Sequence, residues 1–132
     1  MKATPGAINT YIFFKLPSCF FTGVRVKTID DSCCVTSVKH RWINQNPFKS
    51  LFWAVQGMAA ELATGALVMV CIAQSGVKVS MLVVTNNARF DKKATGRITF
   101  TCEDGQLIKD TIAKAIQTKQ GQSCWGQSHR KR

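Results

Sequence analysis

The sequence predicts an α+β domain in which strands cover one apolar helix. Three observations carry this. Across residues 51–73 the only formal charge is Glu61, with Gln56 and Thr64 as the other polar side chains, and so apolar a helix has to be buried. Residues 24–29, 34–38 and 97–102 alternate apolar with polar side chains, the period of half-buried strands. Beyond them Ile108, Ile112, Ala115 and Ile116 recur at helical spacing, which predicts a terminal amphipathic helix.

In chain order, Thr4 followed by Pro5 is a helix start, with Thr as the cap and Pro in the first turn. Ile8, Tyr11, Ile12 and Lys15 give that helix one face before Pro17 stops it, and Phe20 and Phe21 read as packed linker residues. The two alternating segments around Asp30, Asp31 and Ser32 predict a β-hairpin. Residues 41–50 are polar and turn-prone, and Asn46-Pro47 and Ser50 offer two caps for the long helix, which Gln74, Ser75 and Gly76 end. Residues 77–90, rich in β-branched side chains, predict a long strand with a bulge or bend at Asn86-Asn87. Lys92, Lys93 and Gly96 make a basic turn before the next strand. Asp104 is placed to cap the terminal helix, with Lys114 and Lys119 near its end as the macrodipole favours.

A chain of 132 residues with 45% apolar content buries one core, so a single domain over residues 1–120 is expected, followed by a basic, disordered tail over 121–132. Net charge is +11, from 18 Lys and Arg against 7 Asp and Glu. That charge favours phosphates, nucleic acid or acidic lipid headgroups without choosing among them. Basic residues are scattered and no reading motif is present, so no nucleic-acid partner is expected. The six cysteines sit in apolar segments without ligand-like spacing, and adjacent Cys33 and Cys34 point to opposite faces of a strand. No metal is expected, and free thiols fit a reducing compartment. The apolar run Ile12 to Phe14 is too short for a signal-peptide core, so a cytoplasmic protein is expected. The 51–73 stretch is long enough to span a bilayer. A charge near its centre costs about 2.5–3.5 kcal/mol on the insertion scale for Asp, Lys or Arg, and the strands need a helix to cover, so no membrane span is expected.

A lone carboxylate in such a segment is expensive to bury ionised, so Glu61 is expected to be paired, raised in pKa, or at the mouth of a cleft. A general base for acyl chemistry needs such a group. The competing reading is a bond to a strand N–H or an ion pair with Arg41, Arg89 or Lys93. Asn46 before Pro is by itself a turn and cap signal, and His40 and His129 complete no Ser-His-Asp set.

The stretch Asn46-Pro-Phe-Lys-Ser-Leu-Phe-Trp-Ala-Val-Gln-Gly-Met-Ala-Ala-Glu61-Leu-Ala-Thr-Gly65, with Ala88-Arg-Phe-Asp-Lys-Lys-Ala-Thr-Gly96 after the helix, resembles the core of the hotdog-fold acyl-CoA thioesterase superfamily. The resemblance covers roughly residues 6–118 and is nearest to the part of the superfamily that holds the phenylacetate-pathway type enzymes. It implies a hotdog fold, a curved antiparallel sheet wrapped around one long central apolar helix, with short N-terminal and C-terminal helices. It implies hydrolysis of a fatty or aromatic acyl-CoA thioester, with Glu61 as general base or nucleophile and Asn46 as the second catalytic residue. Coenzyme A enters as part of the substrate, with no separate cofactor, and its phosphates meet Lys92 and Lys93. Thr64 and Gly65, one turn beyond Glu61, let substrate or a partner helix come close, and Phe52 joins the substrate-binding stretch. A homodimer or dimer of dimers with active sites between subunits is implied as well. One departure stands out. Many relatives carry His-Gly-Gly at the helix start, where this chain has Phe52-Trp53-Ala54, and bulk there hinders approach to an oxyanion-binding N–H. The alternative is a hotdog protein that holds an acyl-CoA or lipid without cleaving it.

Overall fold

The computed structural model describes residues 4–131; residues 1–3 and Arg132, at the outer ends of the two predicted regions, lie outside the described residues. Helix α1 (Pro5–Lys15) starts as its sequence dictates, with the Thr4 hydroxyl accepting the Ala7 N–H at 3.2 Å and Pro5 where no donor is needed. Pro17 ends it and then opens a second helix, α2 (Pro17–Phe21), where a packed linker was expected. The same fixed φ that breaks one helix suits the first turn of the next.

The hairpin follows as predicted: β1 (Arg25–Ile29) pairs antiparallel with β2 (Cys34–Lys39), and β2 with β3 (Arg97–Cys102) in unbroken register from Cys34 opposite Cys102 to Lys39 opposite Arg97. A bulge at Lys27 shifts the β1 register, sharpening the local twist. The free edge of β1 is occupied by a side chain. Asn9 of α1 accepts the Val26 N–H at 2.9 Å and donates to the Val26 carbonyl at 3.0 Å, satisfying the backbone groups that another strand would otherwise take.

The tail does not stay loose. Its residues His129–Lys131 form β4, antiparallel to β3, which gives a four-stranded sheet in the order β1-β2-β3-β4. The sequence missed this because the Gln- and Ser-rich approach buries nothing apolar. What holds it are polar bonds: the Asp104 carboxylate accepts the Gln127 N–H at 2.8 Å and Ser128 donates to the Ala60 carbonyl at 2.6 Å. Asp104 does sit at the start of helix α4 (Gly105–Thr118), but its side chain ties down the tail and makes no cap bond.

Helix α3 (Trp53–Ser75) lies across the sheet and ends at Gly76, which takes the left-handed φ of 70° that a C-terminal cap demands. Neither Asn46 nor Ser50 caps its start, since the two bond to each other in the preceding turn. Val55, Ala59, Leu62, Ala63, Ala66, Leu67 and Val70 bury against Val24, Val26, Cys34, Val38, Ile98, Phe100 and Cys102, with Ile8, Ile12, Ile108 and Ile112 closing the ends. Buried Thr36 of β2 donates its hydroxyl to the Ala59 carbonyl at 2.7 Å, fixing helix to sheet. The helix is long and apolar enough to cross a membrane, and here it is the core helix of the domain.

Its burial is nevertheless one-sided, in contrast to the expectation of a helix covered all round. The reason is the segment 77–93. It contains the predicted strand, residues 77–90, and the start of the predicted basic turn, yet it makes no backbone–backbone hydrogen bond among the described residues and lies largely exposed. Among the described residues it joins neither side of the sheet: Asn9 occupies Val26 on β1, and on the other side β4, not this segment, pairs with β3.

Candidate functional site

Helical periodicity decides where Glu61 points. The buried stripe runs through Val55, Ala59, Leu62, Ala63 and Ala66, and the opposite stripe, Trp53, Gly57, Glu61, Thr64 and Val68, looks outward. Glu61 is exposed, and it stands over an open cleft of about 300 Å³. One wall is α3, through Met58, Glu61 and Leu62; the other is the break between α1 and α2, through Lys15, Leu16, Pro17, Ser18 and Cys19. Pro17 forms this second wall, because the kink it imposes brings Ser18 and Cys19 toward the helix.

The Glu61 carboxylate has no hydrogen-bond or ion-pair partner among the described residues. The three cations proposed to neutralise it are engaged elsewhere. Arg89 pairs with Asp91 at 3.0 Å, Lys93 donates to the Phe48 carbonyl at 3.4 Å, and the Arg41 guanidinium lies against the bare backbone of Gly23. The carboxylate charge is felt by its neighbour. Burial pushes the Cys19 thiol up to about 11, the negative charge of Glu61 adds to this, and Arg25 opposes it. Cys19 is therefore a protonated, inert part of the wall. Arg25 is held in place by the Phe20 and Val24 carbonyls at 2.7 and 2.8 Å and stacks 3.6 Å over the Phe20 ring. Burial lowers its pKa, with Cys19 raising it and Arg41 lowering it further.

Of the other residues singled out in the sequence, Gly65 stays with Glu61. A β-carbon at position 65 would stand 3.9 Å from both the Glu61 Oε1 and the Met81 methyl, so the exposed segment crosses α3 here and covers the bare backbone. Thr64 is drawn to the tail, its hydroxyl 3.2 Å from that of Ser128. Asn46 lies in the turn before the helix, and its amide is used there: the carbonyl accepts the Phe48 N–H at 2.9 Å and the amide donates to Ser50 Oγ at 2.9 Å. Phe52 is exposed at the helix start, its N–H bonded to the Asn44 carbonyl. Lys92 and Lys93 are exposed beside the same turn. At 1.5 Å per residue, Glu61 is about 12 Å along the axis from the start of α3. One chain thus gathers two groups: Glu61, Gly65 and the cleft midway along the helix, and Asn46, Phe52, Lys92 and Lys93 at its N-terminal end.

At that end Phe52 accepts the N–H groups of Val55 and Gln56. The N–H groups of Trp53 and Ala54 have no acceptor among the described residues. They stand at the start of the helix, where Trp53 is exposed. Sequence reasoning did not find the Lys15–Cys19 wall; its signal was Pro17, read only as a helix stop. Among the described residues no cluster of His, Cys, Asp or Glu is arranged to hold a metal ion.

Several solved structures share the fold. A protein of unknown function from Chlorobaculum tepidum TLS superposes with a TM-score of 0.73 at 17% identity, covering 87% of this chain and 74% of its own. A Shewanella oneidensis protein for which thioesterase activity has been suggested gives 0.67 at 12% identity, with 75% and 68% covered. A Pseudomonas aeruginosa protein of unknown function, also suggested to be a thioesterase, gives 0.64 at 17% identity, with 89% and 79% covered. No curated protein matches the sequence. The antiparallel sheet around a single long helix is the hotdog fold, α+β in class. The profile of a domain of unknown function, DUF4442, matches residues 6–122, and the chain belongs to that family.

Proposed function

We propose that the chain is an acyl-CoA thioesterase in which Glu61 is the general base or nucleophile. The observation that carries this is the Glu61 carboxylate, unpaired and standing over an open cleft. The walls suit the substrate: Leu16, Pro17, Met58 and Leu62 offer an apolar lining for an acyl chain, and Lys15 a cation at the rim. As a base, Glu61 takes a proton from water, the hydroxide adds to the thioester carbonyl, and collapse breaks the C–S bond to give the carboxylic acid and the coenzyme A thiol. As a nucleophile it adds to the thioester carbonyl and the C–S bond breaks, releasing the coenzyme A thiolate, which takes a proton from water, and leaving an acyl-enzyme anhydride that water opens to the carboxylic acid and the regenerated carboxylate.

The second group, Asn46, Phe52, Lys92 and Lys93, completes the site from another subunit. With its amide engaged in the turn, Asn46 acts by holding the start of α3. Lys92 and Lys93 provide charge for the coenzyme A phosphates. This calls for a homodimer, and the unpaired segment 77–93 is the edge through which two copies pair. Among the described residues no cysteine is in a disulfide, which suits a cytoplasmic setting.

The bulk of Phe52 and Trp53 at the helix start favours one further reading, a protein that holds an acyl-CoA without cleaving it. A single experiment separates the two. Hydrolysis of a panel of short, long and aromatic acyl-CoA thioesters is followed for the wild type and Glu61→Gln. A loss of roughly 100-fold or more in kcat/KM with unchanged thermal melting is expected. A wild type inactive on the whole panel that retains acyl-CoA in equilibrium dialysis would establish the binding reading instead.

A further inference from the structure

The turn joining β2 to α3 presents large apolar side chains to solvent. Trp42 is 83% exposed, Phe48 73% and Trp53 63%, with Ile43 and Phe52 beside them. They form one surface. Gln45 pairs with Leu51 across the turn, the Asn44 carbonyl accepts the Phe52 N–H at 2.8 Å, and the Phe52 and Trp53 ring centroids are 6.2 Å apart. Trp42 and Ile43 thus lie on one arm, Phe52 and Trp53 on the other, and Phe48 near the tip. Five exposed aromatic and aliphatic side chains at one turn are costly to leave in water.

The stretch that carries them has charge of one sign. Between Asp31 and Glu61 there is no acidic residue, while Lys39, Arg41 and Lys49 belong to this stretch and the Lys93 ammonium reaches the Phe48 carbonyl at 3.4 Å. Lys49 sits beside Phe48 at a positive φ of 59°, a left-handed residue that tightens the turn. Tryptophan and phenylalanine interleaved with lysine is the composition that settles at the boundary between headgroups and acyl chains, rings inserted and ammonium groups on lipid phosphates. None of these side chains lines the cleft at Glu61, so the turn is a surface apart from it.

We propose that this turn docks the protein on a bilayer bearing anionic headgroups, with Trp42, Ile43 and Phe48 inserted and Lys39 and Lys49 on the phosphates, while Phe52, Lys92 and Lys93 stay with the subunit contact. The domain lies on the membrane and does not cross it. An enzyme so placed meets acyl substrates where they partition, a consequence that rests on the thioesterase reading; the docking does not.

The test is co-sedimentation of the full chain with vesicles of phosphatidylcholine alone or with about 30% phosphatidylserine, at low and high salt. Tryptophan emission is followed in a Trp125→Phe background, so that only Trp42 and Trp53 report. Binding to the anionic vesicles with a blue shift, weakened by salt, is expected. Phe48→Ser should weaken it about tenfold and Lys49→Ala about fivefold, with thermal melting unchanged. Both positions are exposed, so neither substitution removes core packing. An emission maximum unmoved by anionic vesicles overturns the proposal. So does emission already blue-shifted without lipid, in an oligomer that Trp42→Ser dissociates, which assigns the surface to a second copy. Binding of a single-stranded oligonucleotide with the vesicles ignored overturns it too.

Discussion

Gly105 opens α4 where the hairpin turn crosses it, donating its N–H to the Ser32 carbonyl at 3.1 Å, and a β-carbon there would overlap the Asp31 carbonyl oxygen and the Ser32 backbone. Backbone on both sides of the contact has little freedom to retreat. Gly105→Ala is therefore expected to lower stability by about 1–3 kcal/mol, read as a lower urea midpoint at unchanged slope; a midpoint equal to wild type would show that the turn shifts freely. Glu61 illustrates a different constraint on a single residue. Its neighbours on the outer stripe, Gly57 and Thr64, bring little hydrophobicity, so the helix can turn that stripe toward water while Leu62, Ala63 and Ala66 stay buried. The carboxylate avoids desolvation by facing out, and it needs no counter-ion to do so. That the lone acid of the helix could stand at a cleft mouth was legible in the sequence. That its cleft is built with Lys15–Cys19 was not, because the contact joins segments far apart in the chain.

The β1–β2 hairpin is the element whose sequence signal and structure agree most fully. Asp30 folds its carboxylate back onto the turn, accepting the Ser32 N–H, the Ser32 hydroxyl and the Cys33 N–H at 2.8, 2.9 and 2.8 Å. These bonds, that of the Ser32 N–H first, hold its carboxyl below the ordinary 3.8. With the folded pKa lower than the unfolded one, the stabilisation is present above the ordinary value and is lost as pH falls through the lower folded value. Asp30→Ala should accordingly be less stable than wild type at neutral pH, the gap closing as pH is taken from about 5 toward about 2; urea midpoints across that range measure it, and a gap independent of pH would contradict the account. Elements with local signals were legible in this way: Thr4-Pro5, the alternation of β2 and β3, Gly76. Elements that depend on a distant partner were not. β4 is three residues of His-Arg-Lys whose strand character comes from β3, and residues 77–90 carry strand composition but join no edge.

At the scale of the molecule, every strand edge but that of β4 has a partner, while the residues most inclined to β-structure are left without one. Along the unpaired segment exposure alternates. Met81 and Val83 are turned partly inward, with Met81 reaching α3 at Gly65, while Leu82 at 81% and Val84 at 78% face solvent. This is strand periodicity already in place. Two copies of the segment, antiparallel about a twofold axis, would satisfy each other's backbone and cover these side chains with the same surface on both subunits. The net charge of +11 per chain opposes association, so the apolar strip has to supply the attraction. Introducing charge on the outward positions should then be decisive. The double substitution Leu82→Lys with Val84→Lys is expected to convert a dimer to a monomer in sedimentation velocity, with an unaltered far-ultraviolet circular dichroism spectrum because neither side chain belongs to the core. If subunits also exchange the two halves of the site, acyl-CoA hydrolysis falls with dimer concentration on dilution. A wild type that is monomeric at high concentration, or a double variant that dimerises as well as its parent, would remove residues 77–90 as the subunit contact.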